Sequence, residues 1–152
     1  MPPNPKVVPP GTGKALSVLR EVVTSLVVGA DTGGAYAVQQ QATRPGGGPP
    51  LHRHSREDEG FFVLEGEYEF QVGEQTFRAV PGTFIFGPRG IPHTFRCVGP
   101  GPGKVQVIIS PPGFEAYFEE LDGLAQQGPP DMGQVVALAG KYGLEILGPP
   151  PA

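Results

Sequence analysis

Polar and apolar positions alternate through Glu67-Tyr68-Glu69-Phe70-Gln71-Val72, which predicts a strand with Tyr68, Phe70 and Val72 on a buried face and the other side wet. The same reading gives short strands over 76–80 and 83–86, set off by Gly73-Glu74-Gln75 and Pro81-Gly82, and another over 104–110 that aligns Val105, Val107 and Ile109. Upstream, β-branched or alternating stretches at 22–28 and 35–43 flank the turn-forming run from Gly29 to Gly34 and predict a hairpin. Beyond Pro111-Pro112-Gly113 the period changes: Phe114, Tyr117, Phe118 and Leu121 fall on one face of a helix that would cover an end or face of the sheets. A second helix is expected from Asp131 as N-cap to about Tyr142, with Gly143 ending it.

Strands this short and this closely spaced predict an all-β sandwich or barrel with one or two C-terminal α-helices. A chain of 152 residues is sized for one such domain. The expected division is a flexible N-terminal arm over 1–13, rich in proline, a β-barrel over 14–112, and a helical segment over 113–152 that packs on the barrel. Net charge is -4 and Lys and Arg form no run able to follow a phosphate backbone, so nucleic acid is not an expected partner. No apolar run approaches the roughly 20 residues that span a bilayer. With no apolar leader after Met1 and with Cys97 alone, a cytoplasmic location is expected.

The three histidines fall into two spaced strings, Gly46-x5-His52-x-His54-x4-Glu59-x6-Gly66 and Gly82-x5-Pro88-x-Gly90-x2-His93. In a strand, His52 and His54 share a face about 6.6 Å apart, so both imidazoles can reach one ion. His93 begins a strand-like run whose same-face neighbours are Phe95 and Cys97, and it can bring a third imidazole from an adjacent strand. Three imidazoles and one carboxylate suit a divalent transition metal with coordination positions left over, unlike a closed cysteine-rich structural site. Glu57 and Asp58 compete with Glu59 for the carboxylate role. Glu59 is preferred because it alternates onto one face with Phe61 and Val63, and Glu57 and Asp58 are read as solvated loop charges. Phe61, Phe70, Phe77, Phe84, Phe86, Phe95, Phe114 and Phe118 are read mostly as core, some of them able to line a site for a flat aromatic ligand. Cys97 is read as a small buried hydrophobe.

Both strings resemble the two motifs of the cupin superfamily, over Gly46 to Cys97, with Cys97 standing where the second motif usually ends in asparagine. The resemblance implies a double-stranded β-helix, or jelly-roll barrel, in a single-domain protein with His52, His54, Glu59 and His93 as ligands of one divalent metal: Fe, Ni, Mn, Co, Cu or Zn. Among cupins the chain looks most like the quercetinase group. That implies a dioxygenase cleaving a flavonol or related enol or aromatic substrate, with Glu59 both ligand and catalytic base. The alternatives are a redox-neutral metal cupin, similar to polyketide cyclases or isomerases, and a non-catalytic module binding a small molecule. The resemblance also implies a homodimer.

Overall fold

The computed structural model describes residues 2–149; Met1 of the expected arm and residues 150–152 of the expected C-terminal segment lie outside the described residues. Among the described residues, eleven strands and two helices follow one another as β1 (Lys14–Val18), β2 (Glu21–Val27), β3 (Ala37–Thr43), β4 (His52–His54), β5 (Asp58–Glu65), β6 (Tyr68–Val72), β7 (Gln75–Ala79), β8 (Phe84–Gly87), β9 (His93–Cys97), β10 (Gly103–Ser110), α1 (Glu115–Ala125), α2 (Met132–Lys141) and β11 (Leu144–Ile146). They form a six-stranded sheet ordered β1-β2-β3-β10-β5-β8 and a five-stranded sheet ordered β11-β4-β9-β6-β7. The fold is therefore mostly β, a jelly roll of two facing sheets with helices at the C-terminal side.

Period-two patterning decides what lies between the sheets. Val105, Val107 and Ile109 of β10 are fully buried, as are Tyr68 and Phe70 of β6. Their partners from neighbouring strands complete an aromatic core in which Phe61 meets Phe70 at 5.5 Å and Phe70 meets Phe95 at 5.1 Å between ring centroids. The Tyr68 hydroxyl donates to Thr43 Oγ1 at 3.0 Å, so its one polar atom is satisfied inside that core.

Two of the phenylalanines assigned to the core lie elsewhere. Phe84 and Phe86 are 59% and 57% exposed, because β8 turns Ile85 inward against Phe61 and so must turn its neighbours outward. β1 and β11 are strands that patterning did not reveal. β1 pairs with β2 through Leu16 opposite Val23, both buried, and supports α1: Ser17 N donates to Asp122 Oδ1 at 2.9 Å. β11 pairs with β4 along its far edge.

Both expected helices are present, the first from its apolar spacing and the second from its caps. Tyr117, Phe118 and Leu121 of α1 are buried, with Phe114 just ahead of its first turn. Asp131 caps α2 in a capping box with Gln134, which satisfies backbone donors that a helix start leaves open. Gly143 takes φ +72° after Tyr142, and a Cβ there would lie 2.4 Å from Ser55 Oγ, so glycine lets the chain leave α2 and enter β11 against the β4–β5 turn. The described residues of the N-terminal arm, 2–13, contain no helix or strand, and the arm is tied to the β2–β3 turn by Lys6 and Asp31 at 2.9 Å. Among the described residues, no helix is long and apolar enough to cross a membrane.

Candidate metal centre

The two sheets contribute different parts of one buried cluster. β4 carries His52 and His54 on its inward face with Arg53 between them facing out, and β9 pairs with it so that His52 lies opposite His93. β5, in the facing sheet, brings Glu59 inward. The approach of β4 to β9 depends on Gly48, whose φ is +156° and where a Cβ would lie 1.9 Å from the Phe95 carbonyl oxygen. Ligand atoms of His52, His54, Glu59 and His93 all lie within 4.8 Å of one another, and all four residues are buried. Ring centroids of His52 and His93 are 4.4 Å apart, and those of His54 and His93 are 5.5 Å apart.

Each imidazole is held from behind by its Nδ1. His52 Nδ1–H donates to the Pro50 carbonyl at 2.8 Å, His93 Nδ1–H to the Ile91 carbonyl at 3.2 Å, and His54 Nδ1–H to Glu57 Oε1 at 2.6 Å. A carbonyl oxygen can only accept, so the Nε2 atoms are left to face one another. His54 Nε2, His93 Nε2 and Glu59 Oε1 are buried without a hydrogen-bond partner, although His54 Nε2 and Glu59 Oε1 are in contact and His93 Nε2 is 3.5 Å from Glu59 Oε1. Buried polar atoms are costly when unpaired. Their convergence, from three neutral-capable nitrogens and one carboxylate, fits a divalent transition metal.

The metal-free electrostatics point the same way. Burial, reinforced by the neighbouring His93 and His54, pushes the His52 imidazole down to about 3. Burial also pulls His54 down, but the charge of Glu59, in contact with its Nε2, and the hydrogen bond to Glu57 outweigh it and hold this imidazole at about 9. Burial would raise Glu59, yet the His54 and His93 imidazoles keep its carboxyl well below the ordinary carboxylate range.

The cluster forms one wall of a cavity of about 640 Å³, to which His52, His54 and Glu59 contribute along with Phe61, Phe95, Phe114, Tyr117, Phe118 and Leu121. Glu21 and Arg44 also line it. Cys97 is fully buried, with Sγ 3.4 Å from the Gly101 carbonyl, and belongs to the core rather than to the cluster.

The reading of Glu57 and Asp58 as solvated loop charges is corrected. Glu57 is only 3% exposed and is bonded to His54. It shares the parity of Glu59, Phe61 and Val63, so the alternation that selected Glu59 also points Glu57 inward when carried one step further back. Asp58 opens β5 and is ion-paired with Arg89 at 3.1 Å, its Oδ1 also accepting Arg89 N at 2.9 Å; it fastens the first histidine string to the turn of the second. Phe114 was read as core, and its second role, packing on His54, could not be read from helical spacing.

A family model for the cupin domain matches residues 40–109. Quercetin 2,3-dioxygenase of Bacillus subtilis (strain 168) is 29% identical over 86 residues, 57% of this chain and 26% of that protein, so the matched stretch spans about a quarter of that relative's length. Among solved structures, the polyketide cyclase RemF from Streptomyces resistomycificus superposes with a TM-score of 0.62 at 25% identity, over 70% of this chain and 79% of RemF. KdgF from Halomonas sp. superposes with a TM-score of 0.65 at 14% identity, over 74% of this chain and 99% of KdgF, a likeness of fold alone.

Proposed function

We propose that this chain, whose residues 40–109 match the cupin domain, a barrel that selects no single reaction, is a metal-dependent dioxygenase acting on a flavonol or a related enol-bearing aromatic compound. The observation that carries this reading is that His52, His54 and Glu59 of the three-histidine, one-glutamate cluster line a cavity rich in aromatic and aliphatic side chains, with Glu21, Gln41, Thr43 and Arg44 also in its lining. Rings of Phe61, Phe95, Phe114, Tyr117 and Phe118 offer faces and edges to a flat substrate. The similarity to quercetin 2,3-dioxygenase adds support.

His52, His54 and His93 through Nε2, and Glu59 through its carboxylate, would hold one divalent ion: Fe, Ni, Mn, Co, Cu or Zn. When bound, that ion supplies Lewis acidity toward a substrate oxygen and, for every candidate except redox-inert Zn, redox access to dioxygen. Glu59 would take the substrate's hydroxyl proton on a carboxylate oxygen, in the role of a general base. The aromatic walls orient the ring system and keep bulk water from the reacting atoms.

Metal-reconstituted protein should consume a flavonol such as quercetin only when dioxygen is present. Consumption that continues without dioxygen replaces this reading with a redox-neutral one, for which the likeness to a polyketide cyclase at 25% identity is the supporting observation. Metal-loaded protein that turns over neither flavonols nor simpler enols overturns the dioxygenase assignment.

We also propose that the protein works as a homodimer. Support comes from the outer face of the six-stranded sheet, where Phe62, Phe84, Phe86 and Ile108 are all exposed by 40% or more. Register places Phe62 opposite Phe84 and Gly60 between Phe86 and Ile108, so the patch is continuous across three strands and reaches the free edge at β8. Around it stand the amides of Gln40 and Gln106, paired at 3.1 Å. Asp58 and Lys104 flank the patch and are ion-paired with Arg89 and Glu65, so a second copy meets an apolar centre whose flanking charges are balanced.

A further inference from the structure

Of the three imidazoles in the cluster, two rest on neutral carbonyls supplied from two residues earlier in the chain, just ahead of β4 and β9, and one rests on an acid. His52 and His93 lean on Pro50 and Ile91 at 2.8 and 3.2 Å, whereas His54 leans on Glu57 at 2.6 Å. The His54 and Glu57 side chains are 2% and 4% exposed, and among the described residues the one ion pair of Glu57 is with His54. The pair is therefore dry, short and dedicated.

We propose that Glu57 is a positioning residue of the metal centre, which fixes His54 with Nε2 open toward the ion and makes that imidazole the strongest nitrogen donor of the three. The proposal rests on reading the cluster as a metal centre and not on the identity of the reaction. A hydrogen bond from Nδ1–H to a carboxylate pushes electron density into the ring and raises the basicity of Nε2 beyond what a carbonyl partner achieves. Burial strengthens the effect, because little solvent screens the charge. A second acid also changes the charge balance. With Glu59 alone, a divalent ion would leave a net positive centre inside the barrel; Glu57, one imidazole away, offsets it. The centre would then hold its ion tightly with unequal nitrogen ligands, His54 opposing His52 and His93 in donor strength.

Glu57→Gln separates charge from geometry, since the amide oxygen can still accept from His54 Nδ1–H while the negative charge is gone. Glu57→Ala removes both. The probe is Cu(II) titrated into metal-free protein, with affinity from chelator competition and the site read by electron paramagnetic resonance. In Glu57→Gln, one ion per chain should still bind, with affinity lower by about 10- to 100-fold and with altered copper hyperfine coupling. Glu57→Ala should weaken binding further wherever the variant folds, and Glu57→Gln alone decides the matter if it does not. Parental affinity and an unchanged spectrum in Glu57→Gln would reduce Glu57 to a structural hydrogen-bond acceptor and overturn the proposal. A parent that binds no Cu(II) overturns the metal centre itself and Glu57 with it. Failure of the flavonol assay alone leaves a weakened and spectrally altered Glu57→Gln centre as support.

Discussion

The ring of Phe114 stands edge-on to the imidazole of His54, with centroids 4.5 Å apart and planes at 89°. This contact joins the segment leading into α1 to the strand that carries two of the three histidines. Phe114 continues into an aromatic cluster, edge-on to Phe118 at 5.0 Å and tilted against Tyr117 at 5.3 Å, so the helix that roofs the cavity also steadies one wall of the metal centre. Phe114→Ala should therefore destabilise the fold by about 3 kcal/mol, near the lower bound for buried phenylalanine because one side of the ring already faces the cavity. For a chain of this size that is a fall in Tm of roughly 6–12 °C. Calorimetry on metal-free protein checks it, and a fall under a couple of degrees would mean that α1 closes over the site without this ring.

Replacement of the ligands should separate holding the ion from using it. His52→Ala or His93→Ala removes a nitrogen from a cluster whose atoms lie within 4.8 Å of one another, and bound metal measured by elemental analysis should fall to near zero. Glu59→Gln keeps an oxygen at the same position but loses the proton acceptor, so turnover should fall by roughly 100-fold or more while metal content falls less. Full activity in Glu59→Gln would remove it from the role of base.

Protons and metal compete for His54. In the metal-free protein this imidazole is held at about 9, so at neutral pH it carries a proton on Nε2 that a metal ion must displace. His52, lowered to about 3, has none to release, and Glu59 is already ionised. Affinity should accordingly rise with pH through the neutral range, about tenfold per unit until His54 is neutral, and fall as the solution is acidified. Calorimetric titration at pH 7 in two buffers of different ionisation enthalpy should report about one proton released per ion. Equal heats in the two buffers would contradict the raised His54.

The strands between Glu67 and Ser110 were legible because each buries one face and wets the other, and the spacing of His52, His54, Glu59 and His93 was legible because same-face geometry fixes which side chains can meet. β1 and β11 were not. β1 is a short edge strand of mixed character whose pairing depends on α1 lying across it, and β11 has three residues and exists because Gly143 returns the chain to the edge of β4. Glu57 was misread since a charge beside a tight turn is ordinarily solvated, and only its distance to His54 shows that the charge is used. For Phe84 and Phe86, hydrophobicity suggested burial, but the parity set by Ile85 decided against it.

Those outward rings carry the last prediction. β8 has four residues and is a sheet edge, and its two exposed phenylalanines continue across β5 to Phe62 and Ile108. Water-facing rings at a free edge are a liability in a monomer, and native sheets usually blunt such edges with charge or cover. This patch contains neither lysine nor glutamate. If a second copy is the cover, the parent should be a dimer by light scattering at micromolar concentration, and Phe84→Glu combined with Phe86→Glu should be monomeric, since two buried carboxylates facing their symmetry mates cannot be desolvated without partners. Neither ring points toward the cluster, so metal stoichiometry should be unaffected in the double variant. A monomeric parent, or a double variant that remains dimeric, would assign the pairing or the face elsewhere.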